Sequence, residues 1–361
     1  MKKIISMLIL INILILTACS GQASKPISAT EPASTESVPA VVSDSPSPTP
    51  ELTPTPEPKK EFVLYISYES KAISSNMVED KSKRLIYITL PPSYYDNTDK
   101  SYPVIYFLHG HGDPPGAVSS RSPAMTKLMK SGDLKEYITV EPDCGSVLGG
   151  SFYANSPVTG GFEDFITEEL VIYIDENYRT IADASSRGIA GFSMGGFGAM
   201  YIGFRHPDLF SALYALSPGL FDPDGVKSAI SKSWDINLEK NYGAVFSPDT
   251  SLPFPYANIP VFDGSDNDNK IIADWYNGFG NWEQKIKDYQ ALPDKLNAIE
   301  IRYGKSDNYP FIIDGCKYVS DLLNEAGIDH TLDLVDGGHT IAPTFVTSEL
   351  LPFFDNNLEG E

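Results

Sequence analysis

From residue 61 to its end the chain predicts an α/β fold, with a mainly parallel central sheet flanked by helices in one large domain. Three observations carry that expectation. Apolar strand-like runs alternate with helix-like stretches from residue 103 to the C-terminus, without an internal repeat. One such run, Arg187-Gly-Ile-Ala, passes directly into Gly191-Phe-Ser-Met-Gly195, and a small-residue helix start follows. The stretch 218–297, between two strand-like runs, is too long for a simple crossover and reads as an aromatic-rich insertion before the next strand.

The first 18 residues read as a bacterial lipoprotein signal. Met1-Lys-Lys is a basic start, residues 4–16 are almost wholly apolar, and Leu16-Thr-Ala-Cys19 is a small-residue cleavage site ending in cysteine. The apolar run is short for a membrane span. Cleavage before Cys19 and lipidation of its sulfur would anchor the protein stably, because two or more acyl chains suffice. Residues 19–60 are mostly Ser, Thr, Pro, Ala and Glu, a composition that cannot bury a core. Extended at about 3 Å per residue, this tether reaches on the order of 100 Å. The expected location is the bacterial cell surface, with the 61–361 domain extracellular or periplasmic and only the lipid in the membrane.

Within the domain, strand-like runs at 62–68 and 85–90 precede a strong apolar strand at 103–108. That strand ends in His109-Gly-His-Gly112, which suits a backbone N–H donor at His111 better than a catalytic base. The His-x-His spacing has no carboxylate or cysteine partner at ligand spacing, so no metal is expected.

Gly-x-Ser-x-Gly around Ser193 is the pattern of a sharp strand-to-helix turn. A serine there is held in a strained conformation, its neighbours two residues away must be small, and the next N–H, of Met194, points where its hydroxyl points. Such a nucleophile needs a base and a group to orient the base. Of 5 histidines, His206 reads as a helix C-terminal residue and His330 begins a strand-like run. His339 follows that run in Asp336-Gly-Gly-His-Thr, a glycine-rich loop near the C-terminus, and is the expected base. For the acid, the alternating strand from Ala298 ends in Gly304-Lys-Ser-Asp307, while Asp263 and Asp266 lie in an earlier loop. One helix (311–326) and one strand (330–335) separate Asp307 from His339, which puts the two at the ends of neighbouring strands. Asp307 is the expected acid.

From about residue 83 to the C-terminus the chain resembles the putative-esterase family of α/β-hydrolases. That family includes feruloyl and acetyl xylan esterases, S-formylglutathione hydrolases, siderophore esterases and antigen 85 mycolyltransferases. The matching stretches include Ile86-Tyr-Ile-Thr-Leu-Pro-Pro-Ser-Tyr, Tyr102-Pro-Val-Ile-Tyr-Phe-Leu-His-Gly-His-Gly and Phe162-Glu-Asp-Phe-Ile-Thr-Glu-Glu-Leu. They continue in Gly191-Phe-Ser-Met-Gly-Gly-Phe-Gly-Ala, Gly304-Lys-Ser-Asp and Gly337-Gly-His. The resemblance implies the α/β-hydrolase fold and a serine carboxylic-ester hydrolase without a cofactor. Ser193 would be nucleophile, Asp307 acid and His339 base, with the N–H groups of His111 and Met194 as the oxyanion hole. Many feruloyl esterases follow the histidine with a tryptophan-containing segment; here the chain reads His339-Thr-Ile-Ala-Pro.

The insertion holds all 3 tryptophans, Trp234, Trp275 and Trp282, with Tyr242, Phe246, Tyr256, Tyr276 and Phe279. These tryptophans are the candidates for stacking on a sugar or an aromatic acid, while other aromatics there fill the insertion's own core. Net charge is −21, which argues against nucleic acid or a polyanionic substrate. No Walker loop or dinucleotide fingerprint is present. If Cys19 is lipidated, Cys144 and Cys316 remain, and neither has a framework-like spacing, which favours free thiols. The expected substrate is a feruloyl or acetyl ester on plant cell-wall polysaccharide, a polymer a tethered exported enzyme meets outside the cell. Siderophore or lipid esters, acyl transfer to glycolipids, and an inert surface-binding lipoprotein are the alternatives.

Overall fold

The computed structural model describes residues 60–360, so the signal, Cys19 and nearly all of the tether lie outside the described residues. Eight strands form one sheet: β1 (Val63–Glu69), β2 (Lys83–Thr89), β3 (Val104–Leu108), β4 (Ile138–Pro142), β5 (Arg187–Phe192), β6 (Ala212–Leu216), β7 (Ala298–Gly304) and β8 (Thr331–Val335). Their spatial order is β1-β2-β4-β3-β5-β6-β7-β8. The β1–β2 and β2–β4 pairs are antiparallel, and every pair from β4 to β8 is parallel. This is an α/β-hydrolase sheet, mainly parallel as the alternation of elements implied.

Parallel strands buried on both faces read as continuous apolar runs, and β3, Val-Ile-Tyr-Phe-Leu, is buried at all five positions. The pleat sends Val104, Tyr106 and Leu108 to one face and Ile105 and Phe107 to the other. The first face packs against a helical segment over 162–177 and against α-helices Met194–Arg205 and Pro310–Glu325. The second packs against helix Ser122–Ser131 and a C-terminal helical segment over 346–357, through Met125, Met129, Phe345, Leu351 and Phe354. In chain order these helices are α1 (Ser122–Ser131), α2 (162–177), α3 (Met194–Arg205), α4 (Gly225–Lys232), α5 (Ile236–Phe246), α6 (Asp266–Phe279), α7 (Trp282–Ala291), α8 (Pro310–Glu325) and α9 (346–357).

The segment 218–297 divides in two. Helices α4, α5 and α6 supply the elaboration beside the strand ends, whereas α7 is an ordinary crossover helix. Trp282 and Tyr289 of α7 contact Phe204 of α3, with ring centroids 5.5 and 4.7 Å apart. Cys144 and Cys316 are free and buried.

A buried carboxylate fixes the loop after β3. Glu141 of β4 is 1% exposed and accepts from the N–H groups of Gly116 (3.0 Å), Val118 (2.7 Å) and Ser119 (2.8 Å). Removing it leaves two buried donors, at Val118 and Ser119, and a partly buried one at Gly116 without an acceptor, and each buried orphan costs on the order of 1–3 kcal/mol. Glu141→Ala is therefore expected to lower stability by about 3 kcal/mol or more, read as a lower urea midpoint at unchanged slope. An unchanged midpoint would show that this loop is held by other contacts.

Candidate active site

The site is assembled at the carboxyl ends of β3, β5, β7 and β8. Strand β5 runs into Ser193, and α3 begins at the next residue. Ser193 has φ 57° and ψ −114°, a conformation L-residues avoid unless the surroundings impose it. The surroundings do so. A Cβ on Gly191 would lie 2.1 Å from the carbonyl oxygen of Gly195, and one on Gly195 would lie 2.0 Å from that of Leu108. The Ser193 N–H donates to the Leu216 carbonyl at 2.9 Å, tying the turn to the end of β6.

Asp307 sits in the loop after β7 and is 7% exposed. Its Oδ1 accepts from the Tyr309 N–H at 2.9 Å, and its Oδ2 accepts from His339 Nδ1 at 2.8 Å. His339 Nε2 lies 2.8 Å from Ser193 Oγ. With Nδ1–H donated to the carboxylate, Nε2 is the acceptor for the serine hydroxyl. The two loops are interlocked, because Lys305 N–H donates to the Val335 carbonyl at 2.8 Å and Ser306 N–H to the Gly337 carbonyl at 2.9 Å. The imidazole stands between Phe192 and Tyr309, each with its ring centroid 4.8 Å away. Of the alternative acids, Asp263 lies in the loop before α6, where its carboxylate accepts from the Ser265 N–H at 2.8 Å, and Asp266 is the first residue of α6.

Met194 opens α3, so its N–H has no intrahelical acceptor. Among the described residues neither this N–H nor that of His111 donates to a protein acceptor, and both residues line the same cavity as Ser193. The His111 side chain is partly buried, which depresses its pKa, and its Nε2 lies 2.8 Å from Asn241 Oδ1. His109 is a structural residue. Its Nδ1 donates to the Gly110 carbonyl at 2.8 Å and its Nε2 accepts from Cys144 N–H at 2.9 Å. His206 bonds Glu163 at 2.9 Å, and His330 lies 2.6 Å from Ser320 Oγ, so each has a partner of its own.

The cavity over Ser193 encloses about 300 Å³. Phe152, Trp234, Leu238, Phe279, Phe311 and Ile312 form its apolar wall, and Asp113 and Tyr309 join the polar side. Of the three candidate tryptophans only Trp234 lines it. Trp275 and Trp282 are fully buried and do not reach the cavity, which corrects the expectation that they form a platform. Their indole N–H groups are already committed, Trp275 to the Asn258 carbonyl at 3.0 Å and Trp282 to the Phe279 carbonyl at 2.9 Å. The physical reason is that the added helices must bury their own apolar area, and the largest side chains do it. Sequence reading missed Phe152, Leu238, Phe311 and Ile312 as wall residues. The last two could have been found, since they begin the helix that follows the Asp307 loop.

With this geometry in hand, the family is clear. The model of the family described as Putative esterase matches residues 75–283. The chain belongs to that esterase family. An esterase of Mycobacterium tuberculosis is 26% identical over 278 residues, covering 72% of this chain and 54% of that protein. An endo-1,4-beta-xylanase/feruloyl esterase of Xylanibacter ruminicola is 33% identical over 136 residues, covering 35% of this chain and 18% of that protein. The chain thus spans about half the length, or less, of these curated relatives. Among solved structures, a ferulic acid esterase superposes with a TM-score of 0.59 at 26% identity, covering 82% of this chain and 98% of that one. An S-formylglutathione hydrolase from Agrobacterium tumefaciens gives a TM-score of 0.56 at 18% identity, covering 83% and 98%, a likeness of fold alone.

The tryptophans separate by experiment. Trp275→Ala is expected to cost about 3–5 kcal/mol of stability while leaving the KM of the folded protein near wild type. Trp234→Ala is expected to change KM or ester preference at a smaller cost in stability. The opposite pattern, with selectivity following Trp275, would contradict the assignment of the wall.

Proposed function

We propose that the protein is a serine carboxylic-ester hydrolase working through an acyl-enzyme. The observation that carries this reading is the unbroken chain Ser193 Oγ–His339 Nε2 and His339 Nδ1–Asp307 Oδ2, each link 2.8 Å, beside two uncommitted backbone N–H groups. Ser193 Oγ attacks the ester carbonyl as its proton passes to His339 Nε2, and Asp307 stabilises the imidazolium. The N–H groups of Met194 and His111 receive the developing oxyanion, a contribution of about 3 kcal/mol per donor. His339 then gives its proton to the departing alcohol oxygen. Water, deprotonated by His339, attacks the acyl-enzyme and frees the acid and Ser193.

The substrate reading is a feruloyl or acetyl ester on plant cell-wall polysaccharide. Its support is the aromatic wall facing Ser193, together with relatives described as feruloyl esterases. The lipoprotein-like start Leu16-Thr-Ala-Cys19 supports a surface-anchored enzyme whose domain works outside the cell, held to the membrane by lipid alone.

Ser193→Ala is expected to abolish hydrolysis of p-nitrophenyl acetate and labelling by a fluorophosphonate. Asp307→Asn and His339→Ala are expected to lower kcat about 10³-fold or more. Near-normal turnover in Asp307→Asn would remove Asp307 from the chain of proton transfer, and an unlabelled wild type would favour an inert binding lipoprotein. In a panel of methyl ferulate, acetylated xylo-oligosaccharide, triacylglycerol and siderophore esters, the first two are expected to give the highest kcat/KM. A flat profile or a preference for lipid esters rejects the polysaccharide substrate and leaves the ester mechanism standing.

Anchoring has its own test. The wild-type chain is expected to incorporate palmitate and partition into detergent in its bacterial host, and Cys19→Ala to lose both. Equal labelling of Cys19→Ala would reject lipidation at that residue.

A further inference from the structure

Asn241 lies on α5, outside every motif that marks the site, and is wholly buried. Its Oδ1 accepts from His111 Nε2 at 2.8 Å, and its Nδ2 donates to the Gly150 carbonyl at 2.9 Å. One side chain thus joins three separate stretches: α5, the loop after β3 that carries His111, and the loop after β4 that carries Gly150. The two loops are also stitched together directly, by Gly112 N–H donating to the Gly149 carbonyl at 3.1 Å. Ser146 Oγ donates to the same Gly150 carbonyl at 2.7 Å, so the acceptor is fixed from two sides.

Gly150 occupies a telling place. A Cβ there would lie 2.4 Å from Met194 Sδ and 2.7 Å from His111 Cδ2. Gly150 is therefore packed closely against the side chains of both His111 and Met194, the two residues whose N–H groups find no protein acceptor among the described residues. Held by Asn241, it gives both side chains one fixed surface to pack on. The stretch His109-Gly-His-Gly112 has no regular secondary structure of its own, and two glycines loosen it further. The Gly110 carbonyl, in the same peptide as the His111 N–H, accepts from His109 Nδ1 at 2.8 Å and from the Asp113 N–H at 3.2 Å, and the bond from the His111 ring to Asn241 adds a hold from the α5 side.

We propose that Asn241 is a positioning residue for the oxyanion hole, setting the relation between the His111 and Met194 N–H groups through the His111 ring and the Gly150 backbone. The inference rests on the ester-hydrolase reading above. Oxyanion donors act only when they lie about 2.7–3.1 Å from the place where charge develops. A misplacement of about 1 Å costs on the order of 10²-fold in rate. Because the donors engage the tetrahedral oxyanion more strongly than the ground-state carbonyl, the loss falls on kcat and not on substrate binding. The same helix places Leu238 in the cavity wall one turn before Asn241, so α5 serves both the acyl wall and the oxyanion site.

The test uses the full chain, p-nitrophenyl butyrate as substrate and a trifluoromethyl ketone as mimic of the tetrahedral adduct. Asn241→Ala is expected to lower kcat about 10- to 100-fold, keep KM within about threefold, and weaken the ketone by the same factor as kcat/KM. General destabilisation would reduce the active fraction without moving the ketone constant of the folded enzyme. His111→Ala keeps the backbone N–H and removes only the anchored ring, so it is expected to reproduce the loss. The double variant is expected to be no worse than the poorer single. Should Asn241→Ala fail to fold, His111→Ala alone decides. Wild-type kcat and ketone affinity in His111→Ala, or losses that multiply in the double variant, would overturn the inference. A wild type that neither cleaves the ester nor labels with a fluorophosphonate would instead overturn the ester-hydrolase reading, and this inference with it.

Discussion

The whole site depends on one close approach of backbone to backbone. Where β5 ends, Gly191 and Gly195 pack against the carbonyls of Gly195 and Leu108 at distances that leave no room for a Cβ. That contact holds Ser193 at φ 57° and starts α3 at Met194. The serine hydroxyl and the Met194 N–H are then displayed together above the sheet. A looser turn would relax the serine into an ordinary conformation and separate the attacking oxygen from a donor meant for the same carbonyl. The strain is small beside the packing that enforces it, since β5 lies in the middle of the sheet and is buried along its whole length.

Everything else at the site follows from strand order. Parallel neighbours deliver their loops to the same edge, and β7 next to β8 brings the acid loop and the histidine loop into mutual hydrogen bonding. The β3 loop arrives beside β5 from the other side, fastened below by Glu141. No mobile element has to close to complete the proton-transfer chain. The site is built with its polar groups in place, the condition under which fixed dipoles stabilise charge without reorganising.

How much of this could be read from the chain depended on how local each feature is. Ser193, Asp307 and His339 sit in short glycine-marked turns after recognisable strands, and the structure joins them in one hydrogen-bonded series. The parallel sheet was likewise legible, because strands such as β3 are apolar at every position. Trp275 and Trp282 look like wall residues in sequence because composition does not say which face of a helix turns inward. Within 218–297, α7 looks like the helices before it, and only its packing on Phe204 of α3 sets it apart. Asn241 and Phe152 left no signal at all, since their partners are distant in the chain: Asn241 meets His111 across 130 positions. Such contacts exist only once the sheet has formed.

Apart from Phe152, which comes from the loop after β4, the apolar wall of the cavity has two owners. Phe311 and Ile312 belong to α8, part of the sheet scaffold, whereas Trp234, Leu238 and Phe279 belong to the added segment between β6 and β7. A lineage can therefore trade one half of its acyl specificity by rewriting that segment while the scaffold half and the serine turn stay as they are. The exchange is not free of constraint, because the same segment reaches back to the His111 loop through Asn241. Replacements that discard this amide would retune recognition and blunt chemistry together. Grafts intended to broaden the ester range should accordingly preserve the inner face of α5 and vary the rest.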